Sequence, residues 1–268
     1  MPSVKINEEE ISYTERGSGD EIFIFINPVR ARGGTGEEFL SLFPSNYRIF
    51  LLELPAYENC MHLKEFKVSK QWGEDVYSFS RELGLDKFIY MGISRWGEVG
   101  YKLVLSHPEV VKGFIPIVSV PIPTEQQLGP GVIEALESGD IEAHMAASEQ
   151  DMFCPTTNEK RLKRREAWQK TRLQRSFDYS VEKHLINHIT ESRMETFHHL
   201  GEIKVPTLLL FGDKDPTNPL EQVITSAMMN PGAKAVFFQD YAHLITVECP
   251  EKVVDEIITF VNELNKES

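Results

Sequence analysis

The chain has 268 residues, 41% of them hydrophobic, which is enough to bury one sizeable core and fits a single domain with an insertion. Its net charge of -13 argues against nucleic acid as a partner, because the phosphates would on average be repelled. Three widely spaced cysteines, no signal-peptide pattern and no membrane-length apolar run predict a soluble protein of the reducing cytoplasm, without disulfides or a cysteine metal site.

The first half of the chain alternates between strand and helix patterns. Residues 3–17 alternate apolar and polar side chains, which predicts a hairpin at a sheet edge. Residues 21–26 form a nearly continuous apolar run, typical of a strand that is buried on both faces. The next predicted elements are a strand at 47–54, a helix at 68–83, and strands at 88–92 and 113–120. This order predicts the α/β class, with a largely parallel sheet and right-handed crossovers.

The second half opens with a long segment in which strand patterns disappear. Residues 122–200 are polar and helical in pattern, which predicts a helical cap inserted into a core made of residues 1–121 and 201–268. The strongly basic run at 160–175 is interpreted as a cap helix with a solvated face, in preference to a contact with nucleic acid or anionic lipid. Strand patterns return at 206–212 and 233–238, and an amphipathic helix is predicted at 250–264.

A serine lies at a predicted strand-to-helix turn within residues 92–97, GISRWG. A hydroxyl at that place is close to the positive end of the next helix, where a developing negative charge is stabilised. The stretch resembles the nucleophile elbow G-x-S-x-G of the α/β-hydrolases, with Gly92 and Ser94 in place and Trp96 where that family has a small residue. The alternative is a serine that only caps the helix.

Two further candidates follow later strands. Asp215 comes after the strand at 206–212 and His243 after the strand at 233–238, so both are expected at the sheet edge where ligands collect in open α/β folds. Their order after Ser94 and their neighbouring residues resemble the catalytic triad of the α/β-hydrolases. That resemblance implies the α/β-hydrolase fold, with a mostly parallel eight-stranded sheet, helices on both faces and a helical cap insertion.

Each member of this set has an alternative interpretation. Asp215 can be a turn residue with a local backbone hydrogen bond, and Asp213 is its nearest rival as the acid. His243 can be a buried structural histidine. Three motifs in the expected order, each at a strand end, favour the triad over these readings.

The chemistry explains why these three residue types are needed together. A serine hydroxyl becomes a good nucleophile when a neutral imidazole accepts its proton and a carboxylate stabilises the imidazolium. We therefore expect a serine hydrolase acting on an ester, thioester, lactone or activated carbon–carbon bond, in which Ser94 attacks, His243 moves the proton and Asp215 orients His243. Two alternatives stay open: lyase, isomerase or oxygenase chemistry without a cofactor, using His243 as the base, and a non-catalytic receptor for a small-molecule signal.

The remaining candidates lie close to the nucleophile. The resemblance implies an oxyanion hole made by the backbone N–H groups of Val29 and Arg95. Arg30, Arg32 and Arg95 are expected at one rim of the sheet, where they form either an anion clamp for the substrate or ordinary surface ion pairs. Trp96 is a further candidate substrate contact.

No metal or cofactor is expected. His184 and His188 are one helical turn apart, but no third ligand or known zinc pattern accompanies them, so surface histidines are the favoured interpretation. The expected partner is a small-molecule substrate, possible homodimerisation is left open, and neither nucleic acid nor a membrane is predicted as a partner.

Overall fold

A single eight-stranded sheet forms the centre of the molecule. The structure is a computed structural model that describes residues 2–6, 9–26, 35–53, 69–121, 130–173 and 179–267. The strands within these ranges are β1 (Ser3–Ile6), β2 (Glu9–Arg16), β3 (Glu21–Ile26), β4 (Tyr47–Glu53), β5 (Phe88–Ile93), β6 (Val111–Ile117), β7 (Thr207–Gly212) and β8 (Ala233–Phe238).

The strands follow the order β1-β2-β4-β3-β5-β6-β7-β8 across the sheet. β2 pairs antiparallel with both β1 and β4, and every other neighbouring pair in this order is parallel. The predicted edge hairpin and the mostly parallel sheet are therefore confirmed. Because β3 and β5 to β8 run in one direction, their carboxyl ends lie at the same edge of the sheet.

Helices cover both faces of the sheet, as predicted. One face carries α1 (Thr35–Ser41), α8 (Leu220–Met229), α9 (Ile245–Glu248) and α10 (Pro250–Glu267), and the other carries α2 (Ser69–Glu82) and α3 (Arg95–Ser106). In the described part of the chain, no helix is both long and apolar enough to cross a membrane.

Within the described residues, four more α-helices lie between β6 and β7 in the sequence. They are α4 (Pro130–Ser138), α5 (Ile141–Met152), α6 (Glu159–Leu173) and α7 (Tyr179–Phe197). The described residues of this segment, which we call the helical insertion, contain no strand. Its division from the core at residues 122 and 200 stays a prediction, and residues 122–129 lie outside the described ranges.

The alternation of side chains along β3 shows how the core is built. Phe23 and Phe25 pack into the hydrophobic cluster under α1, α9 and α10, whereas Ile24 and Ile26 pack into the cluster under α2 and α3. Successive side chains of a strand point to opposite faces, so a strand covered on both sides must be apolar throughout. The continuous apolar run of this strand is the sequence signature of that double burial.

Close packing between α3 and the sheet depends on a glycine. A Cβ atom on Gly100 would lie 2.4 Å from ring atoms of both Tyr90 and Phe114. Tyr90 cannot easily turn away, because its hydroxyl donates a buried hydrogen bond of 2.7 Å to the Trp96 carbonyl. The helix that follows the candidate nucleophile is thereby held directly against β5 and β6.

The prediction of a solvated basic face on α6 is wrong for two of its arginines. Arg164 is buried and lies 2.5 Å from a carboxylate oxygen of Glu38 and 2.6 Å from one of Glu251. Arg165 is also buried, with its guanidinium 2.5 Å from Glu248. Burial of a charge is costly unless it is paired, and the acids of the core provide the pairs. The basic run therefore docks the insertion onto the core.

Candidate active site

Ser94 is the single residue between the end of β5 and the start of α3. Its φ of 55° is positive, a conformation that is strained for a residue with a side chain. Two hydrogen bonds hold the turn: the Ser94 N–H donates to the Ile117 carbonyl at 2.8 Å, and the Ser94 carbonyl accepts from the Gly97 N–H at 2.9 Å. The surrounding strands and helix thus keep the strained turn in place.

The glycines around this turn are sterically required. A Cβ atom on Gly92 would lie 2.4 Å from the carbonyl oxygen of Trp96, and one on Gly97 would lie 2.4 Å from the Cβ atom of Ser119. Neither approach is possible without a shift of the backbone or of a neighbouring loop. The glycine at position 97 supplies the small residue that the elbow needs, one position later than in the family pattern.

The structure brings the three predicted residues Ser94, His243 and Asp215 together. His243 Nε2 lies 3.0 Å from Ser94 Oγ, and His243 Nδ1 lies 2.9 Å from Asp215 Oδ2. Asp215 and His243 are both buried. A carboxylate accepts the Nδ1 proton, so Nε2 is left with a lone pair that can accept the hydroxyl proton of Ser94.

Asp215 is held by two neighbours that the sequence reasoning missed. Thr217 donates to Asp215 Oδ1 from its backbone N–H at 2.9 Å and from its hydroxyl at 2.8 Å, and Asn218 Nδ2 donates to Oδ2 at 2.9 Å. Burial opposes ionisation of Asp215, but His243 and these hydrogen bonds outweigh it and hold the pKa of the carboxyl below its usual range. The signal in the sequence was the pair of polar residues directly after Asp215 and Pro216.

Asp213, the rival acid, has a different set of contacts. Its Oδ1 accepts from the backbone N–H of Asp240 at 2.7 Å, and its Oδ2 lies 3.1 Å from Lys214 Nζ. These contacts join the loop after β7 to the loop after β8. Of the two acids, Asp215 is the one within hydrogen-bonding distance of His243.

Trp96 occupies the core below the turn. Its side chain is 4% exposed, and its ring centroid lies 5.2 Å from that of Trp72 on α2. Both indoles belong to the hydrophobic cluster between α2, α3 and the sheet. This position corrects the interpretation of Trp96 as a substrate contact, because the side chain extends away from the turn and into packed apolar surroundings.

The residues expected around the developing oxyanion are only partly described. Arg95 is half-buried and is the first residue of α3, so its backbone N–H lies at the positive end of that helix. Val29, Arg30 and Arg32 lie outside the described residues. The predicted oxyanion hole and anion clamp therefore stay predictions.

The helical insertion is attached directly to the loop that carries His243. Leu244 donates its backbone N–H to the Met152 carbonyl, at the end of α5, at 3.1 Å. Beside this bond, Phe153 and Trp168 pack with Leu244 and Val247 in a small hydrophobic cluster. The last turn of α5 is consequently fixed against the loop that carries His243.

Asp151 adds a second acid near the triad. It lies in that last turn of α5 and is half-buried. Burial, together with the negative charge of Asp215, raises the pKa of Asp151, while His243 acts in the opposite direction. No pattern around residue 151 connects this position with the triad.

A buried polar cluster joins α3 to α7. The carboxylate of Glu98 is fully buried and accepts hydrogen bonds of 2.7 Å from the hydroxyls of Ser192 and Thr196. Between these two residues in α7, Arg193 is 2% exposed and donates to Ser119 Oγ at 3.4 Å. Burial raises the pKa of Glu98 despite these donors and the nearby arginine.

One of the two histidines considered as a metal pair has a structural contact. His188 Nε2 accepts the backbone N–H of Ser69, at the start of α2, at 3.0 Å. The side chain of His184 lies outside the described residues. No group of three or more potential metal ligands occurs in the described part of the chain.

Comparisons with known proteins support the architecture. No family model matches the sequence, and no curated protein matches it significantly. Among solved structures, similar chains include MGS-M2, an alpha/beta hydrolase enzyme from a Medee basin deep-sea metagenome library (TM-score 0.78, 16% identity, 97% of both chains covered). Others are a thermophilic esterase from Thermogutta terrifontis (0.72, 19%, 95% of this chain and 94% of that chain) and Est816, described as an N-acyl homoserine lactone degrading enzyme (0.73, 19%, 97% and 100%). At such low identity these matches establish the fold alone.

Proposed function

Starting from the α/β-hydrolase fold of this chain, we propose that it is a serine-dependent hydrolase of small molecules with an ester, thioester, lactone or activated carbon–carbon bond. One observation carries the proposal: the hydrogen-bond chain from Ser94 Oγ to His243 Nε2, 3.0 Å, and from His243 Nδ1 to Asp215 Oδ2, 2.9 Å. A chain of these groups converts a serine hydroxyl into a nucleophile.

Each residue has one task in the proposed reaction. Ser94 Oγ attacks the substrate carbonyl while His243 Nε2 takes the hydroxyl proton, which it then gives to the leaving group. Asp215 keeps the Nδ1 proton in place and stabilises the imidazolium. Water then attacks the acyl group on Ser94, with His243 again acting as the base.

The tetrahedral oxyanion needs donors close to Ser94. The first turn of α3 offers positive charge and backbone N–H groups there, and the Arg95 N–H is the proposed donor from this helix. Val29 is the proposed second donor by resemblance alone.

The choice of bond follows the activities of structurally similar proteins. The thermophilic protein of Thermogutta terrifontis is an esterase, and Est816 degrades N-acyl homoserine lactones. An ester and a lactone both contain a carbonyl carbon bonded to oxygen, which is the kind of centre that an activated serine attacks. We also propose that the substrate can be anionic, and this proposal rests on the positive charge of Arg95. The negative charge of Asp151 at the same site acts against it. Cytoplasmic location and homodimerisation likewise stay proposals.

Labelling with a fluorophosphonate tests the proposed function. The purified protein should react at Ser94, identified by mass spectrometry of the modified peptide, and Ser94→Ala should remove the labelling. Ser106→Ala is the matched control, because Ser106 ends the same helix roughly 16 Å along its axis and should leave labelling unchanged. A folded wild-type protein that resists the reagent would exclude serine catalysis and favour base chemistry by His243 or a receptor.

A further inference from the structure

A buried arginine lies in the helical insertion close to the triad. Arg193 on α7 is 2% exposed, and its Nη2 donates to Ser119 Oγ at 3.4 Å. Moving a guanidinium out of water costs several kcal/mol unless nearby acids balance its charge. The groups that face Arg193 therefore indicate its role.

The charged and titratable groups around Arg193 come from two parts of the core. From α3 these are Glu98, Tyr101 and Arg95, and from the loop after β7 it is Asp215. Burial raises the pKa of Glu98, whereas the pKa of Asp215 is held below its usual range. Glu98 is the stronger of the two acidic partners of Arg193 and Asp215 is the next, so the positive charge of Arg193 also acts on the acid of the triad.

A chain of contacts also links Arg193 to Asp215 mechanically. Arg193 holds Ser119, and the preceding residue, Val118, accepts a 3.2 Å hydrogen bond from Asn218 Nδ2 at its carbonyl. The same Asn218 amide donates to Asp215 Oδ2 at 2.9 Å. Val118 has a φ of 46°, which is strained for a β-branched residue and persists only where neighbours fix the backbone.

We propose that Arg193 is a positioning residue of the triad, through which the seating of α7 on α3 controls both the placement of Asp215 and the charge felt by His243. The inference rests on the proposed hydrolase function. The positive charge of Arg193 acts on Asp215 and so opposes uptake of a further proton by the Asp215–His243 pair, which must be free of that proton to accept the one from Ser94. Asp151 acts on the same pair with the opposite charge.

The test is the pH profile of kcat/KM for p-nitrophenyl acetate in wild type and Arg193→Met. Methionine has a similar length and tolerates an apolar site, which makes it the least disruptive neutral replacement. We expect the acid limb of the profile to move up by on the order of one pH unit, which lowers activity at a pH on that limb by up to about tenfold. Arg193→Lys, which keeps the charge, should return the acid limb close to that of wild type.

Lys102→Gln is the matched control. Lys102 also joins α3 to α7, through a 2.6 Å ion pair with Glu195. Its substitution removes one positive charge from this interface and leaves the contact between Arg193 and Ser119 in place. Its acid limb should stay at the wild-type position. A shift in Lys102→Gln equal to that in Arg193→Met would show a general effect of the interface and overturn the inference.

The outcomes separate this inference from the proposed function. If wild type hydrolyses the ester and Arg193→Met keeps the wild-type acid limb, Arg193 has no role in the triad. If Arg193→Met does not fold, as judged by circular dichroism, the double variant Arg193→Met Glu98→Gln removes both groups of the buried pair and keeps an acceptor for Ser192 and Thr196. Its acid limb should move up by less than in the single variant, because Glu98 opposes the charge of Arg193, and an unmoved acid limb would overturn the inference. Absence of both hydrolysis and fluorophosphonate labelling in wild type contradicts the proposed function itself.

Discussion

Gly100→Ala tests whether the close contact between α3 and the sheet sets the position of the nucleophile. The added Cβ atom would lie 2.4 Å from ring atoms of Tyr90 and Phe114, both fully buried. Overpacking a rigid site costs about 1–3 kcal/mol, and the Tyr90–Trp96 hydrogen bond argues for the upper end. Because alanine has a higher helix propensity than glycine, it offsets about 1 kcal/mol of this cost, and we expect a net loss of about 2 kcal/mol in the free energy of unfolding.

The same substitution should lower activity. A helix displaced by about 1 Å carries Ser94 away from His243 Nε2, and a misplacement of that size can reduce kcat/KM on the order of a hundredfold. Urea unfolding followed by circular dichroism gives the stability, and hydrolysis of p-nitrophenyl acetate gives the activity.

Gly73→Ala is the control for this experiment. Gly73 also lies inside a helix, but a Cβ atom there would lie 3.4 Å from its nearest neighbour, the Leu103 nitrogen, which is ordinary contact. We expect this variant to gain about 0.5–1 kcal/mol from helix propensity alone. Equal stability of the Gly100 and Gly73 variants would refute the argument that the packing of α3 requires glycine at position 100.

Three further predictions concern the triad. Ser94→Ala and His243→Ala should each lower kcat by at least about 10³-fold with unchanged circular dichroism, because triad members act as a unit; a Ser94 variant that stays active would indicate base chemistry by His243. Asp215→Asn should cost far more activity than Asp213→Asn in the same assay, and equal losses would overturn the choice of acid. Asp151→Asn removes negative charge that acts on the Asp215–His243 pair and favours its uptake of a proton, so the acid limb of kcat/KM should move to lower pH; an upward move would contradict the placement of this carboxyl.

The sequence predicted best those features that depend on neighbouring residues along the chain. The strand before Ser94 was expected at 88–92 and is found at Phe88–Ile93, and the last helix was expected at 250–264 and is found at Pro250–Glu267. Apolar runs and helical periodicity are local properties, and burial on the sheet enforces them. The grouping of Ser94, Asp215 and His243 followed from parallel strands that end at one edge.

The direction of a side chain next to a turn could not be predicted in the same way. Trp96 lies two residues after Ser94 and is the second residue of α3. The rotation of α3 about its axis nevertheless turns the indole toward Trp72 and the core. That rotation is set by packing against α2 and the sheet, which no local pattern records. Nearness in sequence to Ser94 was therefore a poor guide to nearness to a substrate.

Contacts between segments that are far apart in the sequence could not be predicted either. Nothing in the pattern around residue 193 or residue 98 indicates that these positions meet, and a basic run normally predicts a solvated surface. Arg164 and Arg165 are instead buried, because acids from α1, α9 and α10 complete their pairs.

The ion pairs of the helical insertion limit how freely that segment can be exchanged. Glu248, five residues after His243, is fully buried and pairs with Arg161 and Arg165 of α6. A transplanted insertion without these arginines would leave a buried carboxylate unpaired, a defect that costs about 3–5 kcal/mol. A foreign insertion that is joined to this core to change substrate preference must therefore carry arginines at the positions of Arg161 and Arg165. Otherwise Glu248 and its two partners must be replaced together by apolar residues.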